Sequence, residues 1–312
     1  PFVRGSDLHS AQGSLTHRPR NPKDSQVPRK YVAERTGQIA KVIGLHQRRQ
    51  RERFGQALIE GPQAVREVLI HAPDLIRDLY VTDAGLAHHP DIDGLAQRLD
   101  PYTHVVDPRI FAQMSEDAQG WLAVINTPSA QRVEDFFDAG SRLVVCLVES
   151  DDPGNLGTII RTADAAGADG ILLGQGSVEL FNPKVVRSSV GSVFHLPIMT
   201  GVDPEHVAAL AKNAGLQILC ADGTGSADLF DLANIHGSGG EGSKAPVLSA
   251  PTMWLIGNEA HGFTDEQLAL ADHAIRIPMW GPAESLNAAV AASLCVYASA
   301  SAQRGASTQR IE

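Results

Sequence analysis

Cysteine is scarce: Cys146, Cys220 and Cys295 are the only three in 312 residues, widely spaced and without a CxxC pair. That excludes a disulfide-stapled mini-fold and argues against a cysteine-based zinc module. The three read as small apolar core residues in a reducing compartment. Long hydrophobic runs are missing as well. No stretch reaches the roughly 18 strongly apolar residues a membrane helix needs, and the first residues lack the apolar core of an export signal. The expectation is a cytoplasmic chain with no membrane partner. Several nucleotide and hydrolase motifs are also absent: no Walker A loop, no HExxH and no GxSxG. Gly174-Gln175-Gly176 follows a strand-like run, but the third glycine of the dinucleotide fingerprint is missing, which weakens a nicotinamide-dependent oxidoreductase reading. His195 and His261 have no partners at metal-ligand spacing, so both read as structural and no metal is expected.

What is present is ordinary for a globular protein, 43% apolar and 20% charged residues, enough to build a core. The charge, however, is unevenly placed. The net value is −10, yet the first 53 residues hold twelve Lys/Arg against four Asp/Glu. A basic arm on an acidic body suits a polyanion-binding tail, with phosphate contacts that weaken in salt. Within it, Arg48, Arg49, Arg51 and Arg53 lie in a basic stretch that predicts a helix over 38–56.

The length predicts two domains. Residues 1–37 are polar and proline-rich and read as a flexible arm. Residues 38–130 alternate helical and strand patterns, as a small α/β domain does. Residues 131–142 read as a linker. From 143 to 304 four runs are apolar on both faces, around 143–148, 171–173, 218–220 and 253–256. Such runs suit buried parallel strands, and the helical stretches between them make a second α/β domain with a parallel sheet. An Ala-rich helix closes it.

Three segments break from strand to loop where ligands of parallel sheets bind, beyond the carboxyl ends of strands. In DPGNLGTIIRTADAAGA a helix is expected to start near Asn155, a natural N-cap, with Arg161 in its first turns. A cation there opposes the helix dipole unless an anion sits nearby. In WLIGNEAHG, Gly257 would allow close approach of a ligand to the backbone, and Glu259 stands at the strand end. In IPMWGPAESLN, Ser285 or Asn287 opens the last helix.

Taken together, Asn155 and Arg161, the GNExxG run from Gly257 to Gly262, and Ile277-Pro278-Met279 followed by Glu284-Ser285-Leu286-Asn287 resemble the three motifs of the SpoU (TrmH-type) family of RNA ribose 2′-O-methyltransferases, of the SPOUT superfamily. The intervening FNPKVVRSSVGSVFHLPI is similar to the family too. The resemblance implies a C-terminal parallel sheet with a deep trefoil knot, a homodimer through that domain, and S-adenosylmethionine as cofactor. It implies cofactor contacts at Ala221, Asp222, Gly223, Gly257, Ile277, Met279, Ser285 and Leu286. Asn155, Arg161, Glu259, Ser285 and Asn287 would be the catalytic set. Arg161 would bind the target phosphate and polarise the hydroxyl, Asn155 would orient the sugar, and Glu259 would brace Arg161. Ser285 and Asn287 would fix the loop on the cofactor side. LIEGPQAVREVL resembles the ribosomal-protein-like RNA-binding domain of members that act on ribosomal RNA. That favours 23S rRNA over tRNA, with an inactive RNA-binding relative as a further alternative. Arg187 would join Arg48, Arg49, Arg51 and Arg53 in contacting RNA.

Overall fold

The computed structural model describes residues 30–129, 132–138, 140–234, 245–258 and 260–308. Most of the expected basic arm lies outside them. The first sheet contains β1 (Lys30–Val32), β2 (Gln56–Glu60), β3 (Ile76–Val81), β4 (Thr103–Val106) and β5 (Trp121–Asn126), in the order β1-β4-β3-β5-β2. β1, β4 and β3 run parallel, while β5 is antiparallel to both β3 and β2. Residues 30–32, expected at the end of the arm, are therefore an edge strand whose backbone pairs with residues 104–106.

The predicted basic helix over 38–56 is interrupted. Helices Gly37–Gly44 and Arg48–Phe54 are separate, and Gln56 already belongs to β2. The cause is Arg51. Its guanidinium donates to the carbonyls of Leu45 and His46, both at 2.8 Å, satisfying acceptors at the end of the first helix.

The second sheet contains β6 (Leu143–Leu147), β7 (Gly170–Gly174), β8 (Ile198–Val202), β9 (Gln217–Ala221), β10 (Ala227–Asp228), β11 (Thr252–Ile256) and β12 (His273–Arg276). Their order is β10-β12-β9-β11-β6-β7-β8, and every pairing is parallel. Alternation along β6 explains its two-sided apolarity. Leu143, Val145 and Leu147 pack against helices Pro153–Ala166 and Ala288–Thr308, while Val144 and Cys146 pack against helix Pro204–Asn213. The expected linker contains helix Val133–Asp138, which buries Phe136 and Phe137 in the second of those layers.

Asx-Pro steps start several of these helices. Asp107, Asp152, Asn182 and Asp203 each cap a helix whose first residue is proline. Proline loses nothing there, because the first N–H has no helical partner. The three cysteines are free and buried, as expected. Burial pushes the Cys146 thiol up to about 12 and the Cys220 thiol to about 11.

The domains share one apolar core. Phe181, Val186, Val193 and Phe194 of the second domain pack with Val65, Val68, Leu69 and Trp121 of the first. Ion pairs cross the same boundary. Arg51 meets Glu179 at 2.6 Å, and Arg187 meets Glu60 at 2.8 Å.

Candidate functional site at the carboxyl edge of the parallel sheet

Register places the expected cofactor segments on one edge. Leu255 pairs with Cys220 and Ala221 with Ile275, so the chain leaves β9, β11 and β12 on the same side. Ala221-Asp222-Gly223, Gly257 and Ile277 follow directly from those ends. Asp222 forms a tight turn, its N–H donating to the Ile275 carbonyl and its Oδ1 accepting from the Thr224 N–H. At Gly223 a Cβ would meet nothing within 4 Å, so the space above the turn is open. Met279 and Leu286 remain 36% exposed, while Ile277 packs partly into the core.

The first motif differs from expectation at its start. Helix Pro153–Ala166 begins two residues before Asn155, and its N-cap is Asp152, whose side chain accepts from the Asn155 N–H at 2.8 Å. That hydrogen bond holds the Asp152 carboxyl below the usual carboxylate range. The Asn155 side chain is thereby released from capping. Arg161 is not in the first turn, so the dipole gives it no reason to need an anion. It is exposed, makes no hydrogen bond or ion pair among the described residues, and stands about 9 Å further along the axis than Asn155.

Two side-chain hydrogen bonds join the three motifs. Asn258 Nδ2 donates to Asp151 Oδ2 at 3.0 Å, tying the second motif to the first. Asn287 Nδ2 donates to Asn155 Oδ1 at 2.9 Å, tying the third to the first. Asn258 also closes its own turn, with Oδ1 accepting from the Ala260 N–H at 2.8 Å. At Gly257 a Cβ would stand 2.9 Å from the Gly262 backbone, so the chain itself makes a close approach there. Glu259 lies outside the described residues. Ser285 is exposed in the loop and does not cap the last helix. Asn287 does, its Oδ1 accepting from the Ala289 N–H at 2.9 Å.

Asp151, Asp152 and Asn258 were missed as site-building residues. The consecutive aspartates before Pro153 carry the recognisable signal, since Asx-Pro is a helix start.

The family whose profile fits the chain is described as the SpoU rRNA methylase family, matched over residues 142–297. The chain belongs to the SpoU rRNA methylase family.

Among curated SpoU relatives, the 23S rRNA (guanosine(2553)-2′-O)-methyltransferase RlmP of Bacillus subtilis is 33% identical over 257 residues, covering 81% of this chain and 92% of that one. A 23S rRNA (uridine(2479)-2′-O)-methyltransferase of Streptomyces viridochromogenes is 37% identical over 150 residues, 46% of this chain and 47% of that one. Solved structures resemble the whole described architecture. The SpoU methyltransferase AviRb from Streptomyces viridochromogenes superposes with a TM-score of 0.71 at 27% identity, over 87% of this chain and 99% of that one. The AdoMet-bound rRNA methyltransferase from Sinorhizobium meliloti gives 0.71 at 26% identity, over 86% and 97%.

The expected RNA-contacting arginines separate into two groups. Arg48, Arg49 and Arg53 are exposed on helix Arg48–Phe54, with Arg48 paired to Glu52 at 2.7 Å. Arg51 is corrected to a structural residue. It is 3% exposed, its guanidinium held by Glu179 and two carbonyls, with no surface to offer RNA. Arg187 is partly exposed and bridges Glu60 and Asp117 at 2.8 and 3.1 Å, beside a cleft of about 610 Å³ that also involves Arg35, His46 and Gln113.

Proposed function

We propose that this chain transfers a methyl group to a ribose 2′-hydroxyl of ribosomal RNA, with 23S rRNA as the substrate. The observation that carries the reading is the convergence of the three motifs through Asn287–Asn155 and Asn258–Asp151, with the exposed Arg161 on the same helix as Asn155. The names of the relatives support the substrate class.

The residues at the sheet edge fit S-adenosylmethionine. The space over Gly223 is open, Met279 and Leu286 offer apolar surface, and the turns at 221–223, 257 and 277–279 offer main-chain groups. Ser285 and Leu286 complete the set from the loop. Bound there, the cofactor supplies a methyl group already activated on a sulfonium, so the protein's task is chiefly alignment.

A guanidinium offers five N–H donors and no acceptor, so Arg161 is read as a donor to the substrate rather than as the base. Its forked donors take a phosphate oxygen next to the target ribose, and its charge favours the developing oxyanion as the hydroxyl proton passes to solvent water. Asn155 orients the sugar, its side chain steadied by Asn287, which is itself fixed as a helix cap. Glu259 braces the arginine. Arg48, Arg49, Arg53 and Arg187, with the basic arm, add phosphate contacts.

The same reading includes a deep trefoil knot formed by the C-terminal segment and a homodimer. Val290 and Tyr297, 48% and 49% exposed on helix Ala288–Thr308, give the dimer an apolar stripe. A cytoplasmic location goes with an RNA substrate. Among the described residues no helix is long and apolar enough to cross a membrane.

The test is methylation of protein-free 23S rRNA and of bulk tRNA with tritiated S-adenosylmethionine, followed by alkaline hydrolysis. Label in an alkali-resistant dinucleotide from 23S rRNA is expected. Label in tRNA alone would move the substrate, and cofactor binding without label in either RNA would leave an inactive RNA-binding protein.

A further inference from the structure

At the boundary between the two domains, the fold assembles a cluster that sequence spacing conceals. Glu67 and His71 lie one turn apart on helix Pro62–His71 of the first domain, and His195 follows the short turn Ser192–Phe194 of the second. One ligand-type atom of each lies within 4.8 Å of the others. His195 Nε2 stands 3.1 Å from Glu67 Oε2, and His71 Nε2 stands 3.5 Å from that same oxygen.

The surrounding groups leave those atoms facing inward. Asp164 Oδ2 lies 2.7 Å from His195 Nδ1. A carboxylate only accepts, so Nδ1 carries the hydrogen and, in a neutral ring, Nε2 carries the lone pair. Gln63 Nε2 donates to Glu67 Oε1 at 2.6 Å, so Oε2 is the oxygen left for the cluster. Gly191 makes room for this carboxylate, since a Cβ there would stand 2.3 Å from Glu67 Cγ. His195 Nε2 and Glu67 Oε2 thus face one another across 3.1 Å, with His71 Nε2 beside them.

We propose that Glu67, His71 and His195 bind a divalent transition metal, Zn²⁺ by preference, that pins the first domain to the second. Ligand atoms about 2.1 Å from a tetrahedral zinc stand about 3.4 Å from one another. The two distances here, 3.1 and 3.5 Å, lie on either side of that value. Two imidazoles and a carboxylate suit zinc and neighbouring first-row ions. The i,i+4 pair on one helix supplies two ligands from a single face. Asp164 on Nδ1 plays the outer-shell part that fixes a ligand histidine's tautomer. The fourth position opens towards solvent past His71, which is 43% exposed, and takes a water. Because Asp164 lies on helix Pro153–Ala166, the metal would connect the first domain to the helix that carries Asn155 and Arg161.

The test titrates tag-free, chelator-treated protein with Zn²⁺ by calorimetry and with Co²⁺ by visible absorption. One metal per chain is expected, with the visible bands of a tetrahedral cobalt site and a raised melting temperature. His195→Ala and Glu67→Gln should abolish that stoichiometric site, and Asp164→Asn should weaken it roughly 10–100-fold. Should His195→Ala fail to fold by circular dichroism, His71→Ala and Asp164→Asn carry the same comparison. Absence of saturable binding, or identical titrations of wild type and variants, overturns the proposal and leaves His195 as a hydrogen-bonding residue between Asp164 and Glu67.

Discussion

Arg161→Ala separates catalysis from stability. Its side chain is exposed and has no hydrogen bond or ion pair among the described residues, so truncation removes no contact among them. The expected stability change is within about 0.5 kcal/mol. The catalytic cost is of a different order. Removing one preorganised donor to a developing oxyanion costs about 2.7–4 kcal/mol, or roughly 10²–10³ in rate. Arg161→Lys keeps the charge but loses the fork, so it should recover only part of the rate. The assay is single-turnover methyl transfer to 23S rRNA, read beside cofactor calorimetry and a thermal melt. Cofactor affinity and melting temperature should match wild type. Transfer within a few-fold of wild type would refute the role assigned to Arg161, and a large loss of stability would show that the arginine supports the fold.

Arg51→Met should be severe where Arg48→Met is silent. It leaves Glu179, 20% exposed, without its partner and uncaps two carbonyls, so a loss of about 3 kcal/mol or more is expected in denaturant unfolding. Asp152→Ala removes the N-cap of the Asn155 helix and should cost about 1 kcal/mol by the same measurement. Because the folded carboxyl titrates below its ordinary value of 3.8, this contribution is fully present above that pH and fades as acid protonates it. The difference between wild type and Asp152→Ala should therefore shrink on acidification. A double-mutant cycle of Asn155→Ala and Asn287→Ala should give a coupling of about 0.5–1.5 kcal/mol in stability, whereas additive losses would mean that the 2.9 Å contact contributes nothing.

The parallel sheet was legible because its strands are buried on both faces. β6, β7, β9 and β11 each read as unbroken apolar runs, and the helices between them followed. Helix starts were less legible. Proline at 153 looked like turn chemistry, which displaced the expected start to Asn155 and put Arg161 in a first turn it does not occupy. The aspartate before the proline was the better signal, since it caps and proline tolerates the first position. Arg51 shows the opposite limit. Four arginines in six residues have the same sequence character, and only the distant Glu179 decides which one is buried. The Asn155–Asn287 and Asn258–Asp151 contacts join segments more than a hundred positions apart. The resemblance to SpoU motifs named most of these residues but could not say which was cap, which was turn and which was exposed.

Phe181, Val186 and Phe194 meet Val65, Leu69 and Trp121 in a single greasy seam. The two halves are consequently not interchangeable modules. Cutting the gene between them would bare that seam on both products and invite precipitation, and transplanting the front half onto another catalytic body would demand repainting the seam first. New RNA targets are therefore more accessible through drift of surface loops on a fused body than through shuffling of its parts.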